Sequence, residues 1–164
     1  MGKKASPESI RSADGLVSFV DRAGKCYLFR KGINPRLYDM VRGKDAFTRR
    51  GLLLGWSEEA HLGKRLLLSV DGRGGLQVVS LGKIRELSEA SSRQELSGDE
   101  KKLLGLFVRP MSTPELRKAL GISKNRFEAA LVGARSKMRI VLVGVRKESS
   151  TKYVNIYDRM EKWL

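Results

Sequence analysis

The sequence predicts an α+β chain, and three observations predict it. The stretch "STPELRKALGISKNRFEAAL", residues 112–131, reads as two short amphipathic helices around a tight Gly121-Ile122-Ser123 turn. Two strand-like runs, "RIVLVGV" and "KYVNIY", follow it and enclose the basic loop "RKESST". The front of the chain gives a weaker version of the same order: helix, strand, helix, then a hairpin and a helix. Three helices, a strand, a basic loop and a strand make a winged helix, a helix-turn-helix with a β-wing at Arg146–Lys152. The front half is then either a second, degenerate winged-helix-like unit or an α+β extension packed on the first. The polar stretch "SSRQELSGD" is the expected linker, so the units are 1–95 and 96–164.

Along the chain, the first helix is expected to begin at Ser6 with Pro7 at its first position and Glu8 on the positive end of its dipole. Ile10, Ala13, Val17 and Val20 recur at helical spacing, and Gly24 ends the run. "CYLFR" is a strand, and "INPRLYDMVRG" a short helix capped by Asn34, started by Pro35 and ended by Gly43. "GLLLGW", "KRLLLSV" and "LQVVSL" are short apolar runs, the last two joined by the hairpin turn "DGRGG". Ser80 caps a helix through about Ser91. Ser97 or Asp99 caps the next, which carries Leu103, Leu104 and Phe107 and stops before Pro110. Ser112 and Glu115 have capping-box spacing, with Thr113-Pro114 as an alternative start. Leu116, Ala119 and Leu120 form that helix's apolar face. Ser123 caps the next helix, with Phe127, Ala130, Leu131, Ala134 and Met138 on one stripe. "DRMEKWL" closes as a short helix or ordered tail.

Charge narrows the function. The 164 residues hold 33 Lys and Arg against 18 Asp and Glu, a net charge of +15 and a pI near 10.3. The surplus is spread, 18 basic against 11 acidic residues in 1–95 and 15 against 7 in 96–164. Such a surface suits a polyanion, because each neutralised phosphate releases condensed counterions. Double-stranded DNA is the first expectation, an anionic membrane the second, and a plain solubility surplus the bland one. No apolar run is long enough to span a bilayer, and the start "MGKKASPESIRSADG" has no signal-peptide core. With Cys26 as the single cysteine and no leader, a cytoplasmic setting is expected, nucleoid-associated in a prokaryote. Cys26 alternates with apolar residues in "KCYLFR" and reads as a buried strand residue.

The expected DNA contacts are Lys124, Asn125, Arg126 and Arg135 on the second helix of the pair, and Arg146, Lys147 and Lys152 on the wing. Basic and amide groups at the start of such a helix meet phosphates and base edges, and the helix N-terminus itself favours a phosphate. The alternative is a winged helix used for protein contact. Chemistry has little to draw on. His61 is the lone histidine, so no histidine-based metal site or Ser-His or Cys-His pair assembles in the usual form, and it reads as a surface or hydrogen-bonded loop residue. Glu58 and Glu59 beside a capping Ser57 read as structural, Asp71 as a turn residue, and "DGRGG" lacks the spacing of a phosphate-binding loop. Trp56 and Trp163 read as packing anchors. No catalytic residue, metal or cofactor is assigned, and the chain reads as a binding protein sooner than an enzyme.

The quoted residues also carry a family resemblance. "IRSADGLVSFVDRAGKCYLFRKGINPRLYDMVRG", "LGWSEEAHLGKRLLL" and "STPELRKALGISKNRFEAALVGARSKMRIVLVGV…KYVNIYDRMEKWL" resemble segments of AlkZ-related proteins, kin of the AlkZ (YcaQ-type) DNA glycosylases. The most specific parts are Glu115-Leu116-Arg117, Arg126-Phe127-Glu128 and the Tyr157…Trp163 ending. The resemblance implies tandem winged helices and a DNA-binding or DNA-repair setting, with a second copy or a repair complex as further partners. The glycosylases are longer and activate water with a Gln-x-Gln motif. Here Gln77 and Gln94 each lack a glutamine two residues away, so no catalytic residue carries over. The resemblance therefore implies a reduced relative that kept the DNA-facing scaffold, with excision of an alkylated or cross-linked base as the enzyme alternative.

Overall fold

The computed structural model describes residues 9–33 and 36–164. The chain is α+β and divides into two compact units. The first comprises Met1–Leu68 with Gly75–Ile84, the second Ser69–Gly74 with Arg85–Leu164. This division cuts within a helix at Ile84/Arg85 and does not coincide with the break expected at 95/96.

In the first unit, helix α1 (Ala13–Ala23) is capped by Ser12, which has an extended backbone and whose hydroxyl accepts the Gly15 N–H at 3.1 Å. The expected start at Ser6, Pro7 and Glu8 lies outside the described residues, and Ile10 is not helical. Its N–H donates to the Met40 carbonyl at 2.9 Å, in a parallel bridge with Val41 that buries it to 2% exposure. Gly24 ends α1 at φ +83°, donating to the Val20 carbonyl at 2.7 Å. Strand β1 is Lys25–Tyr27. The helix expected in "INPRLYDMVRG" is only a 3-10 turn, Leu37–Met40, preceded by Arg36 with no side-chain cap. Its supposed cap Asn34 and Pro35 lie outside the described residues. Arg36 instead clamps the turn by binding Asp39 through both carboxylate oxygens, at 2.9 and 2.6 Å.

The largest departure is α2 (Ala46–Leu62), which absorbs "GLLLGW" and the following "SEEAHL". Asp45 caps it, accepting the Thr48 N–H at 2.7 Å. Leu53, Ser57, Ala60 and His61 form its buried face, at i, i+4, i+7 and i+8. Ser57 therefore caps nothing; its hydroxyl donates to the Leu53 carbonyl at 2.7 Å. Strands β2 (Leu66–Val70) and β3 (Leu76–Ser80) follow, then α3 (Leu81–Ser92) directly after Ser80. The turn between the strands is set by Asp71, whose carboxylate accepts from Arg73 N–H at 2.9 Å and whose carbonyl accepts from Gly74 N–H at 3.0 Å. The sheet order is β1-β3-β2, with Cys26 opposite Val78. Leu16, Val20, Leu28, Leu37, Leu53, Leu66 and Val78 fill the core.

In the second unit, α4 (Gly98–Gly105) and α5 (Thr113–Leu120) each open with a complete capping box, Ser97 with Glu100 and Ser112 with Glu115. Strand β4 (Met111–Ser112) lies between them. Gly121 turns the chain at φ +66°, and Ser123 caps α6 (Lys124–Ser136). Strands β5 (Ile140–Lys147) and β6 (Tyr153–Arg159) form a hairpin before α7 (Met160–Trp163). Leu116 of α5 is buried but Ala119 is exposed, so that face is narrower than expected. On α6, Phe127, Ala130 and Ala134 are buried, whereas Met138 lies beyond the helix end. The core joins these to Leu103, Phe107, Leu116, Ile140, Leu142 and Tyr157.

The second sheet has the order β4-β6-β5, the same as β1-β3-β2 in the first. The chain thus runs helix, strand, helical turn or helix, helix, hairpin, helix twice over, from α1 to α3 and from α4 to α7, an order compatible with a winged-helix-like arrangement. The likeness extends to single hydrogen bonds where the long helix meets the hairpin. After α2, Lys64 takes φ +55°, its N–H donates to His61 O at 2.9 Å, and Arg65 N–H donates to Ala60 O at 2.9 Å. After α6, Met138 takes φ +54°, its N–H donates to Arg135 O at 3.0 Å, and Arg139 N–H donates to Ala134 O at 2.9 Å. Ala60 and Ala134 are both fully buried. Two non-glycine residues held at positive φ in equivalent places mark a shared structural device, since that conformation is unfavourable for a side chain.

Candidate nucleic-acid interface

The helix pair places its polar groups as its caps dictate. Ser123 accepts the Arg126 N–H at 3.3 Å, which fixes the first turn of α6 and leaves Lys124 and Asn125 exposed. Lys124 sits 4.0 Å from Glu128, a loose contact one helical turn on. Arg126 is differently placed. Its guanidinium grips Asp99 at the start of α4 through two bonds, 3.0 and 2.7 Å. Those hydrogen bonds hold the Asp99 carboxyl below its ordinary range and raise Arg126 further. Arg126 thus fastens α6 to α4.

Arg135 lies nine residues further along α6, about 14 Å away at the helical rise. Its guanidinium stands 5.2 Å from the Tyr157 ring centroid, half-buried against the sheet. Along the wing, Arg146 and Lys152 share one carboxylate, Glu148, at 3.2 and 3.7 Å. Lys147 rests 5.9 Å from the Tyr153 ring centroid. The hairpin tip is closed by Glu148 N–H to Lys152 O at 2.9 Å and Lys152 N–H to the Ser149 hydroxyl at 3.1 Å. The structure thus groups Lys124 and Asn125 at one end of α6 and Arg146, Lys147 and Lys152 on the hairpin, with Arg135 at the far end of α6.

Two cations were missed by the sequence reading. Arg117 and Lys118, exposed in the last turn of α5, line an open cleft of about 510 Å³ with Thr113, Gly121, Ile122 and the wing residue Lys152. Their signal was present: Leu116 and Leu120 define the inner face of α5 and leave the two residues after Leu116 pointing off it. Both also complement the negative end of the α5 dipole. The cleft joins α5, the helix-helix turn and the tip of the wing, three segments that sequence spacing alone does not bring together.

Glu115 anchors this corner. Its carboxylate accepts the Ser112 N–H at 2.7 Å and the Arg109 guanidinium at 3.0 Å. The Ser112 backbone bond, then Arg109, brings its pKa down from 4.5 to about 2. A carboxyl whose folded pKa is depressed stabilises the fold above its unfolded value and loses that contribution as pH falls. Stability is therefore expected to decline between about pH 4.5 and 2 as Glu115 protonates, and replacement by glutamine should flatten that part of a Tm-against-pH curve.

The histidine and the cysteine, which carry reactions elsewhere, are both enclosed. His61 is not in a loop but in the last turn of α2, fully buried, its Nδ1 accepting the Leu68 N–H at 3.0 Å. Cys26 is a buried β1 residue, and burial pushes its thiol up to about 11. Glu58 and Glu59 are α2 residues. Gln77 lies in β3 opposite Tyr27, and Gln94 is exposed after α3. Trp163 is buried and Trp56 packs on the first core, as anchors. Among the described residues no cluster of three or more His, Cys, Asp or Glu could hold a metal ion, and no helix is long and apolar enough to cross a membrane. Compared with family models, curated proteins and solved structures, the chain matches none.

Proposed function

We propose that the second unit is a winged helix that binds double-stranded DNA chiefly through phosphates, and that the first is a degenerate winged helix of the same topology. The observation that carries this reading is the cationic cleft where α5, the turn before α6 and the wing meet, flanked by the exposed start of α6. Five cations suit phosphate contact: Arg117, Lys118, Lys124, Lys147 and Lys152. Asn125 is an exposed amide at the start of α6, placed for a base edge. Arg126 is left out because Asp99 holds it, Arg135 because it lies half-buried on Tyr157, and Arg146 because Glu148 holds it at 3.2 Å. The repeated topology also supports descent from AlkZ-related proteins as a reduced, non-catalytic relative in DNA repair or regulation. His61 and Cys26, both enclosed, are offered to no ligand.

Five phosphate contacts give a log–log salt slope of about −4.5 for duplex binding. Replacing Arg117 and Lys118 together by glutamine should lower affinity at 0.1 M salt by about 10- to 100-fold and reduce the slope to about −2.7. Fluorescence anisotropy with a labelled blunt duplex reads both quantities. An unchanged affinity in the double variant would remove the cleft from the interface. A base-release assay on alkylated and cross-linked duplexes tests the enzyme reading, which a released base would favour over the scaffold.

A further inference from the structure

The first unit carries an aromatic and cationic cleft that the reading above does not use. It holds about 340 Å³ and is lined by Phe29, Lys31, Arg36, Tyr38, Phe47 and Arg50, with Ala46 at its edge. Two of its rings are already covered. Arg49 and Arg36 stand 4.3 and 5.1 Å from the Tyr38 centroid, and Arg50 stands 4.3 Å from that of Phe29. Phe29 and Tyr38 also meet at 6.0 Å, tilted by 59°. Phe47 differs: in the first turn of α2, it is 88% exposed. A bare phenyl ring that stabilises no core has its apolar surface open to a ligand.

The surrounding charge says which ligand. The neighbouring carboxylates are committed, Asp39 to Arg36 and Asp45 to the α2 cap. Among the described residues no carboxylate pairs with Lys31 or Arg50, so both bring positive charge to the cleft rim. An apolar peptide would meet those cations without a counter-charge, and duplex DNA offers no free base face to Phe47. A flat ring carried on a phosphate chain satisfies both features, since aromatic stacking and a cationic track together are how single strands are held.

We propose that this cleft receives an unpaired base of a nucleic-acid strand, with the base stacked on Phe47 and the flanking phosphates on Lys31 and Arg50. The site is distinct from the α5–wing cleft and shares with the proposed function only the premise of a nucleic-acid partner. An overhang, gap or extruded nucleotide would present such a base; a blunt duplex would not.

The test uses the full chain and a short single-stranded DNA carrying 2-aminopurine, with a blunt duplex in parallel. Phe47→Ala should weaken single-strand binding by about 5- to 160-fold, the range for losing one stacked base. It should also abolish the quenching of 2-aminopurine on binding and leave blunt-duplex affinity within about twofold. Phe47→Trp should restore binding and quenching, because the requirement is for a ring face. Single-strand binding unchanged by Phe47→Ala, loss not rescued by Phe47→Trp, or a free nucleoside monophosphate binding as tightly as the strand would each overturn the proposal. Failure of the duplex reading shows instead as duplex affinity insensitive to salt and to the Arg117 and Lys118 substitutions, so the two are separable.

Discussion

Replacing Phe127 by alanine is expected to destabilise the second unit by about 3–5 kcal/mol, the usual cost of emptying a phenylalanine site in a packed core. Phe127 is 2% exposed and belongs to the cluster with Leu103, Leu116, Ala130, Ile140 and Tyr157. It lies one turn into α6 and fixes which face of that helix turns inward. The same substitution at Phe47, in the first turn of α2, should change stability by no more than about 0.5 kcal/mol, since its ring is 88% exposed. Urea unfolding of the full chain measures both, with Trp163 reporting the second unit and Trp56 the first. A small effect at Phe127 would contradict the packing of α6 described above.

Gly133→Ala should destabilise the second unit by about 2–4 kcal/mol, against the ordinary expectation for a helix interior. Alanine in place of glycine within a helix usually gains about 1 kcal/mol. Here a Cβ would fall 2.9 Å from Glu100 Cδ and closer still to its Oε1. That carboxylate cannot swing away without loss. It accepts the Ser97 N–H at 3.1 Å to close the α4 capping box and binds Lys137 at 2.7 Å, and Glu100 is 7% exposed. Displacing it breaks a largely buried ion pair and a helix cap together. In a Glu100→Ala background the penalty should vanish and the helical gain return. A stabilising Gly133→Ala in the native background would show that α4 and α6 do not meet there as described.

Much of the second unit was legible because its signals are local. Ser97, Ser112 and Ser123 each have a partner within three residues, Gly121 is a helix-ending glycine, and the Phe127–Ala130–Ala134 spacing repeats with the helical turn. The first unit hid α2 because consecutive leucines at 52–54 blur the period, and Gly51 and Gly55 resemble breaks. Its phase lies in Leu53, Ser57, Ala60 and His61, where a serine and a histidine occupy inward positions. The α1 start was misplaced because Ser6-Pro7 and Ser12 both fit a cap, and what separates Ile10 from the helix is its bridge to Val41, some thirty residues away.

The candidate site was legible in kind more than in detail. Exposed cations at the start of α6 follow from its stripe. The commitment of Arg126 to Asp99, 27 residues earlier, does not, because it depends on how α4 crosses α6. Nor does the convergence of Arg117, Lys118 and Lys152, which the pairing of β4 with β6 favours by laying α5 beside the wing. The likeness of the two units is equally hidden. Lys64 and Met138 share a backbone conformation, not a residue type.

On the proposed reading, the chain holds duplex DNA through a small set of phosphate contacts around the α5–wing cleft. The affinity of the full chain for a blunt duplex, titrated across salt concentration, decides whether it does. The expected log–log slope is about −4.5, falling to about −2.7 when Arg117 and Lys118 are both glutamine. Duplex binding that is undetectable at low salt, or that does not weaken as salt rises, would contradict it.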